Sequence, residues 1–191
     1  DPFKGMWAIP GGFMEDNETA EETALRELKE ETGMENIFLE QFHTFSSHGR
    51  DPRGRTITIA FFALINSEKY LLTASTDASK AKWWPAYDIP LLAFEQKEMY
   101  EMALQGLRIA MKTRPLAFEL LPKLFTLTQL QNLYEQVFNI RIDIRNFRRK
   151  VRKMTFITAT DQKQEGKQHR PALLYQYDST LYKEFLKENF F

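Results

Sequence analysis

The chain has 191 residues, with 26 basic and 26 acidic side chains and a net charge of zero. Apolar residues make up 43% of it and charged residues 27%, which is typical of a globular protein with one large domain or two small ones. The absence of cysteine excludes disulfide frameworks, thiolate nucleophiles and cysteine-ligated metals, and it fits a reducing, cytoplasmic location. No run of about 18 apolar residues occurs, so we expect no membrane partner.

The zero net charge conceals an uneven distribution. Residues 1–119 hold 13 basic and 19 acidic side chains, whereas residues 120–191 hold 13 basic and 7 acidic ones. The two parts therefore carry net charges of −6 and +6. Such an asymmetry indicates two tasks, with the basic part facing a polyanion.

Strand and helix patterns alternate in the first part of the chain. Residues 5–12 predict a short strand that a proline and two glycines end. Residues 20–32 predict a helix, because Thr19 and Glu22 have capping-box spacing and Gly33 suits the left-handed position that ends a helix. β-Branched and aromatic runs then predict further strands, and apolar residues at helical spacing predict a second helix. These strands are 37–45, 56–65, 69–73 and 81–85, and the helix is 95–113.

The second part of the chain has a different order of elements. A segment with a proline at each end, 114–122, predicts a linker. Helices are predicted at 126–138 and 144–154, the second with Asp143 as N-cap. Two predicted strands, TFITAT and ALLYQYD, then surround a polar loop. The predicted domain organisation is 1–113, linker 114–122 and 123–191.

The predicted helix at 20–32 is unusually rich in carboxylates. Seven of the 22 residues in 12–33 are glutamates. On a helical wheel, Glu27, Glu30 and Glu31 form a patch beside the apolar stripe. Like charges at these spacings repel, and a divalent cation such as Mg²⁺ or Mn²⁺ would relieve the repulsion. A solvated acidic face is the alternative interpretation.

The spacing of these residues resembles the Nudix box. The pattern runs from Gly12 through Glu18 to the segment RELKEETGM, which starts at Arg26. The resemblance implies an α/β fold, the Nudix α/β/α sandwich with a mixed sheet, in which a loop–helix–loop binds divalent metal and hydrolyses nucleoside diphosphate derivatives. It also implies strand residues ahead of the box. This chain supplies about ten residues there, so we expect that N-terminal residues of the domain are missing.

The resemblance also implies roles for individual residues. Three glutamates and one backbone carbonyl would hold the metal: Glu27, Glu30, Glu31 and Gly11. Arg26 would orient a glutamate, and Glu18 would support the helix. The family often takes a catalytic base from a later loop, where this chain offers only Glu68 and Asp77, neither within a recognisable motif.

A turn-rich basic loop, GRDPRGR at 49–55, provides candidate ligand-binding residues. The forks of Arg50, Arg53 and Arg55 would match phosphate oxygens. The loop resembles that of Nudix proteins that handle ADP-ribose, and Trp83 is a candidate for stacking on adenine. The alternatives are a basic surface turn and a tryptophan that belongs to the core and its rim.

The predicted helix at 144–154 has one apolar and one basic face. The apolar face holds Ile144, Phe147, Val151 and Met154. The opposite face holds four arginines, Arg145, Arg148, Arg149 and Arg152. A phosphate backbone would relieve the repulsion among these arginines. A solvated basic surface is the alternative.

The surrounding elements favour binding to double-stranded operator DNA. A helix, a short turn, a basic helix and a two-stranded hairpin follow one another in winged helix-turn-helix order, in which the second helix enters the major groove. Three residues of the hairpin loop would contact the DNA backbone or the minor groove: Lys167, His169 and Arg170.

The combination of a Nudix box with FTLTQLQNLYEQVF, RNFRRKVRKM and HRPALLYQY resembles the Nudix-related bacterial transcriptional regulators of NAD metabolism. The resemblance covers nearly the whole chain. It implies a homodimer whose winged helix binds operator DNA and whose Nudix domain senses an effector, often ADP-ribose. Relatives with this layout respond to sugars such as arabinose. Three functions therefore stay open: a regulator that binds ADP-ribose, an ADP-ribose pyrophosphatase, and a sugar-sensing regulator with a relic box.

Overall fold

The computed structural model describes Phe3 and residues 5–52, 54–65, 70, 72–73, 80–165 and 171–190. Four predicted site residues, Arg53, Lys167, His169 and Arg170, lie outside the described residues, as do Glu68 and Asp77. The chain divides into two compact units, Asp1–Gly106 and Leu107–Phe191. Within the described ranges, no helix combines the length and apolar character needed to cross a bilayer.

Helix α1 (Ala20–Thr32) of the first unit begins and ends at the predicted caps. The hydroxyl of Thr19 accepts a hydrogen bond from the N–H of Glu22 at 3.2 Å, and the Glu22 carboxylate accepts from the N–H of Thr19 at 2.7 Å. The hydrogen bond from the N–H of Thr19, followed by one from its side chain, lowers the pKa of the Glu22 carboxyl. Gly33 has a φ of 74° and donates its N–H to the carbonyl of Lys29, which satisfies a carbonyl of the last turn.

The sheet of the first unit contains two antiparallel strands, β1 (Glu40–Phe45) and β2 (Thr58–Phe62). His43 lies opposite Ala60, and a β-bulge separates Gln41 from His43. The predicted strand at 5–12 is reduced to one parallel bridge between Trp7 and Leu92.

Two other predicted strands of the first unit are absent from the residues that the structure describes. The segment 81–85 is irregular, and Pro85 at its end has no N–H to donate to a sheet. Of the segment 69–73, Tyr70, Leu72 and Thr73 are described and none lies in a strand.

The second unit contains the last turns of helix α2 and the segment predicted as a linker. Helix α2 (Gln96–Thr113) agrees with the predicted helix, but the division between the units falls inside it, after Gly106. Helix α3 (Ala117–Leu120) lies within the predicted linker, and Ala117 is 1% exposed in the core of the second unit. Because Ala117 belongs to this core, the segment packs as part of the second unit and does not act as a free linker.

The remaining elements of the second unit follow the winged-helix order. They are α4 (Leu127–Phe138), α5 (Ile144–Val151), β3 (Ile157–Lys163), β4 (Leu173–Tyr177) and α6 (Ser179–Phe190). Strands β3 and β4 are antiparallel, with Ile157 opposite Tyr177. Phe125 and Tyr175 exchange both backbone hydrogen bonds, at 2.9 and 2.7 Å, which adds an isolated antiparallel bridge beside β4.

An aromatic core holds this unit together. Phe125 and Leu130 are each 1% exposed. The ring of Phe118 stacks on Tyr177 with centroids 4.4 Å apart, and Phe156 meets Tyr182 edge-on at 5.0 Å. Each such aromatic pair contributes about 0.5–1.5 kcal/mol beyond the area it buries. The core therefore fixes the helix pair against the hairpin.

Helix α6 had no counterpart among the sequence predictions. The carboxylate of Asp178 caps it by accepting hydrogen bonds from the N–H groups of Thr180 at 2.8 Å and Leu181 at 3.1 Å. Leu181, Tyr182 and Phe185 pack against the aromatic core. An N-cap aspartate followed by apolar residues at helical spacing was the available signal.

Candidate functional site

Arg26 joins the acidic residues of the Nudix box. Its Nη2 lies 2.7 Å from Glu18, and its Nη1 lies 2.7 Å from Glu27 and 3.3 Å from Glu30. Nη2 also donates to the backbone carbonyl of Phe13 at 3.1 Å. One guanidinium therefore contacts three carboxylates and connects α1 to the preceding loop.

Glu18 connects that loop to α1. Besides Arg26, it accepts hydrogen bonds from the N–H of Glu15 at 2.8 Å and the hydroxyl of Thr23 at 2.9 Å. The Arg26 hydrogen bond, followed by that of Glu15, lowers the pKa of Glu18 from 4.5 to about 2. The same ion pair raises the pKa of Arg26. Both groups are therefore charged at neutral pH.

The Glu18–Arg26 pair predicts a pH dependence of stability. Because folding lowers the pKa of Glu18, its contribution is complete above about pH 4.5 and is lost as pH falls towards about 2. We expect Glu18→Gln to lower the melting temperature by a constant amount above pH 4.5 and by a shrinking amount below it. Tryptophan fluorescence measures this, since Trp7, Trp83 and Trp84 all lie in the first unit. Glu101→Gln, at a 65% exposed side chain, is the control; equal pH profiles for both variants would contradict the assignment.

Glu27 lies against the backbone of Gly12. A Cβ atom at Gly12 would lie 2.1 Å from Oε1 of Glu27 and 2.9 Å from Oε2. A side chain at Gly12 would therefore displace the Glu27 carboxylate from its present position. The N–H of Gly11 donates to Oε2 of Glu31 at 3.3 Å, so the predicted ligands Gly11 and Glu31 do lie close together.

The box offers the donor chemistry for a divalent ion but not an assembled site. Glutamate oxygens are hard ligands that suit Mg²⁺ or Mn²⁺. Within the described residues, no group of three or more His, Asp or Glu side chains is arranged to hold a metal ion. Glu27 and Glu30 instead both contact Arg26. Arg26 therefore contacts two of the three glutamates that the resemblance assigns to the metal.

The arginine loop is held by the protein itself. The side chain of Arg50 is 7% exposed, and its Nε lies 3.2 Å from Glu95. Its Nη1 donates to the carbonyl of Phe45 at 2.9 Å. Arg55 is exposed, but its Nη1 donates to the carbonyls of Ser46 and Ser47 at 2.7 and 2.9 Å. The sequence predicted an Arg50 side chain that is accessible to phosphate, whereas the structure has it buried. Its donors are used within the protein because buried backbone carbonyls need hydrogen-bond partners.

The two adjacent tryptophans have different surroundings. The ring of Trp84 meets Trp7 edge-on at 5.3 Å, and Lys82 Nζ lies 4.1 Å from the ring centroid. Trp83 is 44% exposed. Trp84 is half-buried, so Trp83 is the more accessible of the two to a ligand.

Helix α5 has the predicted basic surface. Phe147 and Val151 are 8% and 4% exposed and anchor the helix in the core. All four predicted arginines are exposed: Arg145, Arg148, Arg149 and Arg152. Asp143 caps the helix by accepting from the N–H of Asn146 at 2.8 Å.

The apolar face of α5 is shorter than predicted. Ile144 is 54% exposed rather than buried, since it is the first residue of the helix and no preceding turn covers it. The helix ends at Val151, so Met154 lies beyond it and is only partly buried.

Two polar residues of α4 that sequence reasoning missed hold the turn before α5. Glu135 accepts from the N–H of Ile142 at 2.7 Å and from Gln131 at 3.2 Å, and Gln131 donates to the carbonyl of Ile142 at 3.0 Å. The bond from Ile142, followed by that from Gln131, lowers the pKa of Glu135. The sequence feature that could have indicated this contact is a pair of polar residues, Gln131 and Glu135, four positions apart on a mostly apolar helix.

The chain matches known families along most of its length. Residues 1–103 match the NUDIX domain, and residues 117–177 match the NrtR DNA-binding winged helix domain. Nudix domains as a family use divalent metal ions.

Two curated relatives are similar to the chain. It is 36% identical over 182 residues to the "ADPR responsive transcriptional repressor NtrR" of Acinetobacter baylyi, a match that covers 92% of this chain and 71% of the relative. It is 42% identical over 100 residues to the "ADP-ribose pyrophosphatase" of Methanocaldococcus jannaschii, a match that covers 52% of this chain and 57% of that protein.

Solved structures of a third relative, Shewanella oneidensis NrtR, are also similar. Its complex with a 27mer DNA has a TM-score of 0.68 at 30% identity, covering 96% of this chain and 84% of the relative. Its NUDIX domain in complex with ADP ribose has a TM-score of 0.50 at 35% identity, covering 56% of this chain and 71% of that chain.

The fold and its two sites define a class of protein in which a NUDIX domain precedes a DNA-binding winged helix. The chain belongs to the NrtR family. The predicted Nudix and winged-helix folds are thereby confirmed.

Proposed function

We propose that the chain is a transcriptional repressor that binds operator DNA through α5 and binds ADP-ribose through its Nudix domain. The observation that carries this proposal is the exposed arginine face of α5, which Phe147 and Val151 hold outward from the core. Duplex DNA carries about one phosphate charge per 1.7 Å of its axis, which such a face can neutralise. The names of the Acinetobacter and Shewanella relatives support the same function.

In this proposal the turn before α5 controls how the helix enters the major groove. Glu135 and Gln131 fix the backbone of Ile142 and so set the direction in which α5 begins. In a winged helix-turn-helix the second helix lies in the major groove. The protein would act as a homodimer, because two-fold symmetric partners bind two half-sites.

In the Nudix domain, the exposed ring of Trp83 would stack on the adenine, and Arg55 would lie beside the diphosphate. A divalent ion, Mg²⁺ or Mn²⁺, would be held by the carboxylates of Glu27, Glu30 and Glu31 and the carbonyl of Gly11, and would neutralise diphosphate charge. ADP-ribose can change DNA affinity only if it binds one conformer of the protein better than another.

Calorimetry tests the ligand directly. Titrating the full chain with ADP-ribose in the presence of Mg²⁺ is expected to show saturable binding, and titration with arabinose is expected to show none. Trp83→Ala should weaken ADP-ribose binding by about tenfold, since stacking on a base contributes about 1–3 kcal/mol. Trp83→Phe retains a ring and serves as the matched control. Binding of arabinose alone would replace this proposal with a sugar-sensing regulator.

Hydrolysis of ADP-ribose is a second candidate function. The filled Nudix box and the similarity to an ADP-ribose pyrophosphatase favour it. The products would be AMP and ribose 5-phosphate. Mg²⁺-dependent AMP release that Glu31→Gln lowers by about 100-fold or more would establish catalysis. Equal inertness of both proteins towards ADP-ribose and a panel of nucleoside diphosphate derivatives would exclude it.

A further inference from the structure

Arg149 differs from the other arginines of α5 in being held in place. Its Nη2 donates to Oδ1 of Asn146 at 2.8 Å, about one turn earlier in the helix. The N–H of Asn146 in turn donates to the carboxylate of Asp143. Within the described part of the chain, no comparable side-chain bond holds the guanidinium of another arginine on this face.

The Asn146 bond leaves Arg149 able to recognise a base. A guanidinium has five N–H donors, and Asn146 occupies one of them. The others can donate to O6 and N7 of guanine, the pair of major-groove acceptors that arginine recognises with two bonds. On a helical wheel with about 100° per residue, Arg149 lies 200° and Arg145 lies 160° around the helix axis from the buried Phe147. Both residues therefore lie on the face opposite the core.

A side chain that is held in place before DNA binds is better suited to contact a base than to contact a phosphate. Immobilising a long side chain costs conformational entropy, and a side chain that is already held loses less of it on binding. Base readout requires a defined geometry, whereas phosphate contacts position the protein without reading sequence.

We propose that Arg149 reads a guanine in the major groove, with Asn146 as its positioning residue, while Arg145, Arg148 and Arg152 contact phosphates. This inference rests on the proposed DNA-binding function. It identifies one G·C pair in each half-site as the pair that α5 specifies through this side chain.

Selection from a random pool of duplexes tests the proposal and does not require the operator sequence as a starting point. The wild-type chain is expected to enrich a motif with one dominant G·C pair per half-site that depends on Arg149. Arg149→Lys keeps the charge but not the fork, and it should lose the preference at that pair while the rest of the motif persists. Arg148→Lys is the matched control and should keep the preference.

A modified base then tests the contact itself. In the enriched duplex, 7-deazaguanine at that position lacks the N7 acceptor. We expect it to weaken binding of the wild-type chain by about tenfold, measured by fluorescence anisotropy, and to change binding of Arg149→Lys by less than about twofold.

Variants of Asn146 test its positioning role. Asn146→Ala should reduce the discrimination against 7-deazaguanine severalfold. Asn146→Asp retains the oxygen acceptor, so it should keep that discrimination even though the added negative charge lowers affinity for every duplex. The dependence of affinity on salt should be the same for wild type and Arg149→Lys.

The outcomes separate this inference from the function on which it rests. A wild-type chain that enriches no motif and shows no salt-dependent duplex binding overturns the DNA-binding function. A motif that Arg149→Lys preserves at every G·C pair, or equal sensitivity of both proteins to 7-deazaguanine, overturns only the inference.

Discussion

Replacing Arg148 and Arg149 together by Ala is expected to weaken binding to duplex DNA by about 100-fold at physiological salt. Both side chains are exposed on α5, and the loss of two arginine contacts at about 1.4 kcal/mol each corresponds to this factor. Fluorescence anisotropy with the enriched duplex measures it. The salt dependence should also become shallower, because fewer counterions are released.

A control on α6 distinguishes the α5 surface from overall charge. Lys183→Ala with Lys187→Ala removes the same charge from two exposed positions of the same unit. We expect less than about threefold weakening from this pair. Equal losses of DNA affinity in the two double variants would mean that DNA binding depends on overall positive charge and not on the α5 surface.

Phe125→Ala is expected to lower the free energy of unfolding of the second unit by about 3–5 kcal/mol. Phe125 is 1% exposed, lies 5.7 Å from Phe118 between ring centroids, and pairs its backbone with Tyr175. Truncation leaves a cavity that this aromatic core cannot fill. Since total stability is about 5–15 kcal/mol, the loss should be evident in urea unfolding followed by far-UV circular dichroism.

The same substitution at an exposed position provides the control. Phe38 is 83% exposed, so Phe38→Ala should change stability by about 0.5 kcal/mol or less. Tryptophan fluorescence should respond less than circular dichroism to Phe125→Ala, because all three tryptophans lie in the first unit. Similar losses for both phenylalanines would contradict the assignment of Phe125 to the core.

The sequence predicted the features that local rules govern. The capping box of Thr19 and Glu22, the αL end at Gly33 and the N-cap at Asp143 each depend on residues within one turn. The basic face of α5 follows from periodicity alone. The spacing of Gly12, Glu18 and Arg26 identified the box because its residues contact one another through short connections.

Features that depend on partners distant in sequence were missed. The side chain of Arg50 is buried because Glu95, 45 residues later, neutralises it. Ala117 is buried because later elements of the second unit cover it. The prolines at the two ends of 114–122 had instead predicted an exposed linker.

One anisotropy titration tests whether ADP-ribose binding changes the affinity of the protein for DNA. The enriched duplex is titrated with the full chain in the absence and presence of saturating ADP-ribose and Mg²⁺, with AMP as the control nucleotide. We expect ADP-ribose, but not AMP, to change the Kd for DNA by about fivefold or more, and DNA to change the affinity for ADP-ribose by the same factor. An unchanged Kd, in a protein that calorimetry shows to be saturated with ADP-ribose, would contradict it.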